Sequence, residues 1–205
     1  GVENQGYPSF NVALERDNMN VGNVLREAGY TTGFVGKFHL KSPLDFPEFY
    51  VGKDGWIEIP RDANPGAEVS AMFRHNERLM RRYLEALGFS WAKNVYPGNM
   101  SKPYSEHNAE WTTVAALEFI EENKDGPFYL HLCSTLLHGP DKSWRDSMEH
   151  PLITGEGEVK KLPEIMTPRA ELLKTIEEKG FDPDSHVAGE AVSYTHLRAH
   201  ETNVD

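Results

Sequence analysis

Twice in this chain a helix-patterned stretch ends on a glycine breaker and is followed by a short apolar run and a polar loop, at 20–40 and at 108–140. In the first copy Val21, Val24, Leu25 and Ala28 recur at helical spacing, with Asn20 placed to cap and Gly29 placed to end the helix. Residues 30–35 are rich in β-branched and aromatic side chains and run into Gly36-Lys37-Phe38-His39-Leu40, the pattern of a buried strand that ends in a polar loop. In the second copy Val114, Leu117, Phe119 and Ile120 are the apolar positions of a helix over 108–122, and Gly126-Pro127 stops it. Phe128-Tyr129-Leu130-His131-Leu132-Cys133 is too short for a helix and reads as a strand central in a sheet. Strands that alternate with helices predict an α/β layered architecture with parallel pairing. The loops after such strands converge on one edge, where α/β folds collect their ligands.

Composition supports a packed core. Of the 205 residues 39% are hydrophobic and 11% aromatic, which argues against disorder. A net charge of −11 disfavours nonspecific binding to nucleic acid or to a membrane surface, and no apolar run reaches the roughly 18–20 residues that cross a bilayer. The single cysteine, Cys133, excludes an intrachain disulfide and a cysteine-cluster zinc site. The chain opens on Gly1 with no leader-like segment, so any targeting peptide is expected outside it.

Between these two units, which share an order of elements but are not an internal repeat, prolines 43, 47, 60 and 65 with Gly52 and Gly55 predict an irregular excursion over 42–65. Residues 67–87 place Val69, Met72, Phe73, Leu79, Met80, Tyr83, Leu84 and Leu87 on one helical stripe that Gly88 terminates. Arg74, Arg78 and Arg82 follow the opposite side, a solvated face with Glu77 and Glu85 interleaved. A turn-rich stretch through Pro97, Gly98 and Pro103 leads to the second unit. Thr167-Pro168 begins a further helix with Leu172, Leu173 and Ile176 inside and Gly180 at its end, and Pro183 begins another. The segment 193–202, SYTHLRAHET, resembles a translated sequencing-library adapter of the transposase type. Residues 192–205 are therefore expected to be a non-native tail, and 1–191 the natural segment.

Three polar side chains follow the two predicted core strands: Lys37 and His39 after the first, His138 after the second. Lys37 and His39 flank Phe38, so an extended backbone turns both to one side while Phe38 packs away. Together they suit a tetrahedral oxyanion, the lysine as fixed positive charge and the imidazole as donor or proton carrier. Spacing alone leaves a second reading open, an ordinary loop lysine beside a hydrogen-bonded histidine. His131 reads as a satisfied core histidine. His75, His107, His150 and His186 lack partners at metal-ligand spacing and take surface or capping roles. Lys142 and Arg145 read as a solvated loop, and Trp56, Trp91, Trp111 and Trp144 mostly as core.

The run 23–40, NVLREAGYTTGFVGKFHL, resembles the second signature of the sulfatase family, a helix ending in AGY followed by a strand and G-K-W-H-L. Gly88-Phe89, Tyr96, Gly98 and Asn99 are similar to successive parts of bacterial sulfatases. So are Glu110-Trp111-Thr112, Pro127-Phe128-Tyr129-Leu130 and Leu137-His138-Gly139-Pro140. The resemblance covers most of 1–191 and implies an alkaline-phosphatase-like α/β fold, a layered sheet with helices on both faces, present here in part. It also implies hydrolysis of a small-molecule or carbohydrate sulfate ester by a formylglycine nucleophile with a calcium ion. By position, Lys37 would contact the sulfate and the formylglycine, His39 would orient or deprotonate the hydrated aldehyde, and His138 would bind the sulfate near the leaving oxygen. Members of the family are often exported.

The chain departs from the family at telling points. It contains no C/S-x-P/A-x-R motif, Gly6-Tyr7-Pro8-Ser9-Phe10 keeping only the Pro-Ser pair, and Cys133 fails the motif as well. The family's Asp-Asp metal pair would fall before Gly1 and its Asp-Asn pair beyond Ala191, so no metal ligand is assigned within the chain. Phe38 stands where the family usually has Trp, and Lys41 where a glycine commonly follows. The chain is thus expected to be an inactive internal piece of a sulfatase catalytic domain. A phosphodiesterase or phosphonate hydrolase of the same superfamily, or a noncatalytic relative that binds sulfated carbohydrate, are the alternatives.

Overall fold

The computed structural model describes residues 19–38, 55–60, 63–98, 100, 103–134, 153–158 and 162–180. The adapter-like tail, the expected helix at Pro183, His39, His138, Lys142, Trp144, Arg145, His150 and His186 lie outside the described residues.

The first unit folds as a helix, α1 (Val21–Glu27), and a strand, β1 (Thr31–Lys37). Asn20 Oδ1 accepts from Gly22 N at 2.8 Å, which satisfies one of the first free amides of α1. At the other end Gly29 N donates to Arg26 O and Tyr30 N to Leu25 O, both at 3.0 Å. That bond pair is a Schellman motif, and it turns the chain directly into β1. The same pair closes α2 (Ala67–Ala86), where Gly88 N reaches Glu85 O and Phe89 N reaches Leu84 O at 3.0 Å. β2 (Trp91–Tyr96) follows at once. The second unit gives α3 (Asn108–Asn123) and β3 (Phe128–Cys133), after which come a short antiparallel hairpin, β4 (Ile153–Thr154) with β5 (Gly157–Glu158), and α4 (Arg169–Glu178).

The three long strands form a parallel sheet in the order β2-β1-β3. This is a mixed α/β arrangement, and no described helix is long and apolar enough to cross a membrane. The expected parallel pairing is present, but the expected placement of Phe128–Cys133 is not. Among the described residues β1 is the central strand and β3 an edge, so β1 is buried through its middle while β3 is half-buried along most of its length. The correction has a simple cause: an apolar run fits either position, and pairing partners on both sides decide which one is central.

α2 and α3 cover opposite faces of the sheet. Phe34 of β1 and Phe38 just after it join Leu79, Met80, Tyr83, Leu84 and Leu87 in a buried cluster with Phe89, Ala92 and Val95. The alternate residue Gly33 faces α3, where a Cβ would stand 2.6 Å from the Phe119 ring. The stripe read on α2 is therefore real in its second half, where Leu79, Met80, Tyr83 and Leu84 are buried, while Arg74, Arg78 and Arg82 are exposed. Of the apolar positions read on α3, Phe119 is buried, Val114 and Leu117 are half-buried and Ile120 is exposed, and Trp111, Ala115 and Ala116 complete the buried face.

β2 has no counterpart in the sequence reading, because Lys93-Asn94 interrupts its apolar pattern. Lys93 Nζ instead pairs with Glu118 of α3 at 2.6 Å. Asn94 is an extra residue: Val35 pairs with Lys93 and Gly36 with Val95, so Asn94 bulges out of the ladder at φ 54°. The bulge resets the alternation, so that Val95 joins the α2 cluster and the Tyr96 ring stacks on Trp111 of α3 at 6.0 Å.

Candidate functional site

All three parallel strands end on one edge, and Lys37 is the last residue of the central one. Two backbone features set its position. Gly36 sits at φ 95°, and a Cβ there would collide with the carbonyl oxygen of Cys133, so only glycine lets β1 and β3 approach at this point. On the other side the Asn94 bulge brings Lys37 into register with Tyr96, and Phe38 N donates to Tyr96 O at 2.8 Å. Phe38 turns into the α2 core, 5.7 Å from the Tyr83 ring, as the alternation around it requires. By the same alternation Lys37 lies on the α3 side of the sheet. His39 and His138 are outside the described residues, so of the three site residues read from the sequence the structure locates Lys37.

The bulge is itself held by buried polar groups. Glu77 of α2 accepts from Asn94 N at 3.0 Å, and Asn94 Nδ2 donates to Trp111 O at 2.7 Å. Burial pushes the Glu77 carboxyl above its ordinary range despite that amide. Sequence reasoning placed Glu77 on the solvated arginine face of α2; it is buried, because the bulge supplies a donor in the core.

At the start of α3 lies a cluster that sequence reasoning missed. Asn108 Nδ2 donates to the Tyr96 hydroxyl at 2.5 Å and so ties the helix to the end of β2. Glu110 is buried and takes a bidentate pair from Arg169, through Nε and through Nη2 at 2.7 Å, while Nη2 also donates to Glu106 O at 2.6 Å. Burial alone would raise the Glu110 carboxyl, but the Arg169 guanidinium, with His107 Nδ1 at 3.7 Å, holds it down at about 2. His107 is 2% exposed, and its side chain makes no capping bond to α3. The surface or capping role expected for it is thus corrected: the turn at 103–107 folds it under the helix. The one sequence signal for this cluster was a histidine three residues ahead of a glutamate, and the arginine is 59 residues further on.

Around these groups several buried polar atoms have no hydrogen-bond partner among the described residues: Asn94 Oδ1, both His107 ring nitrogens and Trp111 Nε1. They all sit at the end of β2 and the start of α3. Of the other histidines the described residues include His75 and His131: His75, read as a surface or capping residue, is instead half-buried with Nε2 2.6 Å from Gly55 O, while His131 is satisfied as read. His131 stacks on Phe34 at 5.1 Å and its Nδ1 lies 2.8 Å from the Tyr129 hydroxyl, with burial lowering its pKa. Cys133 is half-buried on β3, and burial pushes its thiol up to about 11, which keeps it an unreactive thiol at neutral pH.

The described residues do not fit a calcium site. No group of three or more His, Cys, Asp or Glu among them could hold a metal ion, and the two buried carboxylates are engaged, Glu110 by Arg169 and Glu77 by Asn94. What this edge offers is a lysine at the end of the central strand, beside a polar helix start. Compared with known proteins, the chain matches no family model, and no curated protein matches it.

Proposed function

We propose that this chain is part of an alkaline-phosphatase-like sulfatase that hydrolyses sulfate esters. One observation carries the reading. The described part of the run that resembles the sulfatase signature, 23–38, forms the end of α1, a glycine turn and the strand that is central among the described residues, and its lysine stands at that strand's carboxyl end. Residues at that end of a parallel sheet are the ones that face a ligand.

The chemistry follows from the charge that moves. In sulfuryl transfer the ester S–O bond breaks and negative charge gathers on the departing oxygen and on the sulfuryl oxygens. A lysine ammonium fixed beside those oxygens stabilises the transition state more than the ground state. In this reading Lys37 is that cation, His39 would orient or deprotonate the nucleophile, and His138 would bind the sulfate near the leaving oxygen. The formylglycine and calcium that the resemblance implies are supplied by no described residue here.

The gene should be extended in both directions and the longer protein assayed with 4-nitrophenyl sulfate. A C/S-x-P/A-x-R motif upstream and a loss of at least ~100-fold in kcat/KM for Lys37→Ala are expected. Wild-type turnover by Lys37→Ala, or an upstream sequence without the motif, would sink the proposal. The 205-residue chain alone is expected to leave the ester intact.

A further inference from the structure

Residues 55–60 lie across α2, held there by two of its side chains. Asn76 spends its whole amide on this strap, donating to Ile57 O at 2.7 Å and accepting from Ile57 N at 2.9 Å. His75 Nε2 lies 2.6 Å from Gly55 O. Between the strap, α2 and the end of β2 is a cavity of about 280 Å³. Trp56, Ile59, Phe73, Met100 and Tyr104 supply much of its wall, and the Phe73 and Tyr104 rings stand 4.9 Å apart.

The chemistry of the wall selects the ligand. Three of its polar side chains already have partners: Asn76 is paired with Ile57, the Tyr104 hydroxyl donates to Ala63 O at 3.4 Å, and the Tyr96 hydroxyl accepts from Asn108. A sugar, which needs several hydrogen bonds, would compete with these bonds and find the Glu58 carboxylate as the one charged acceptor in the wall. An anion would meet the carboxylate of Glu58, which also lines the cavity. A flat uncharged ring meets neither cost, and it buries its faces against aromatic and aliphatic side chains. An apolar cavity of about 150 Å³ takes one benzene, so this one has room for two fused rings.

We propose that this cavity binds an uncharged aryl group. The site is independent of the sulfate-ester reading, since a neutral aryl ligand carries no ester. If both hold, the cavity adjoins the strand end that is in register with Lys37.

The test is a titration of the 205-residue chain with 2-naphthol, followed by calorimetry and by saturation-transfer NMR. Saturable binding is expected, at least tenfold tighter than for 2-naphthoate or methyl glucoside. Ile59→Glu, which puts charge into the wall, and Ile59→Trp, which fills the space, should each weaken binding at least tenfold. Lys37→Ala should leave it within twofold. Circular dichroism and thermal melting identify a variant that fails to fold, and the other variant then decides. No saturable binding by the folded chain, equal binding of the naphthoate or the glucoside, or unchanged affinity in a folded Ile59 variant overturns the proposal. A chain that binds 2-naphthol while the extended protein hydrolyses no aryl sulfate refutes the enzymatic reading alone.

Discussion

The two helix–breaker–strand units look alike as sequence, yet they are unequal parts of the molecule. In the first, β1 has a strand on either side and its middle residues are buried, whereas in the second β3 pairs with β1 alone among the described residues and leaves Leu132 39% exposed. Their helices differ too. α1 is short and carries Val21 and Val24 exposed, while α3 is anchored at its start by the Arg169–Glu110 pair and the Asn108–Tyr96 bond. An apolar run therefore specifies a strand, and its neighbours specify how much that strand contributes.

Substitutions can break this comparison, and the largest effect is expected at Gly36. Gly36→Ala combines a strained positive φ with a collision against the Cys133 backbone, and should cost about 4 kcal/mol in urea unfolding. A cost below about 1 kcal/mol would show that β1 and β3 can separate without loss, and the centrality of β1 would lose its meaning.

Next is the anchor of α3. Arg169→Ala leaves Glu110 buried without its partner and should cost about 3 kcal/mol at neutral pH. The pH dependence has a definite sign. The folded Glu110 carboxyl is held at about 2, below its ordinary 4.5, so its stabilisation is complete above 4.5 and is lost as pH falls towards 2. Unfolding curves of the parent and of Glu110→Gln should converge over that interval, and parallel curves would remove Arg169 as the cause.

Glu77 tests the bulge that places Lys37. Glu77→Ala orphans the buried Asn94 amide and should cost about 2 kcal/mol, while Glu77→Gln keeps an acceptor and should cost little. Because burial raises the folded Glu77 carboxyl, its contribution is complete below 4.5 and is lost as pH rises through the raised value. Glu77→Gln should therefore gain on the parent at alkaline pH. A Gln variant as damaged as Ala would show that the charge, and not the acceptor, holds the bulge.

The smallest effect is expected at the edge strand. Leu132→Ala should cost under ~1 kcal/mol, since its side chain is already partly in water. A cost near that of Gly36→Ala would mean that β3 is covered by something beyond the described strands.

Much of the local structure was legible because it is written in neighbouring residues. Asn20, Gly29, Gly88 and Gly180 mark helix ends through bonds that span only a few positions, and the stripe on α2 ends where Leu87 and Gly88 close it. β2 was not legible, since its bulge depends on a glutamate 17 residues earlier and on the Trp111 carbonyl. The polar start of α3 was missed for the same reason, its arginine lying 59 residues downstream. Lys37 was found because its neighbours already form a strand end.

The sequence by itself determined the helix–strand order of the two units at 20–40 and 108–140, their parallel pairing and the lysine at the end of β1, because capping, periodicity and glycine conformations act over a few residues. Tertiary structure alone decided that β1 is central, that Asn94 leaves the ladder, that Glu77, His107 and Glu110 are buried, and that the strap over α2 encloses a cavity. Those outcomes depend on which distant groups desolvate one another, and the energy of burying a charge or an amide is set by the partner it meets.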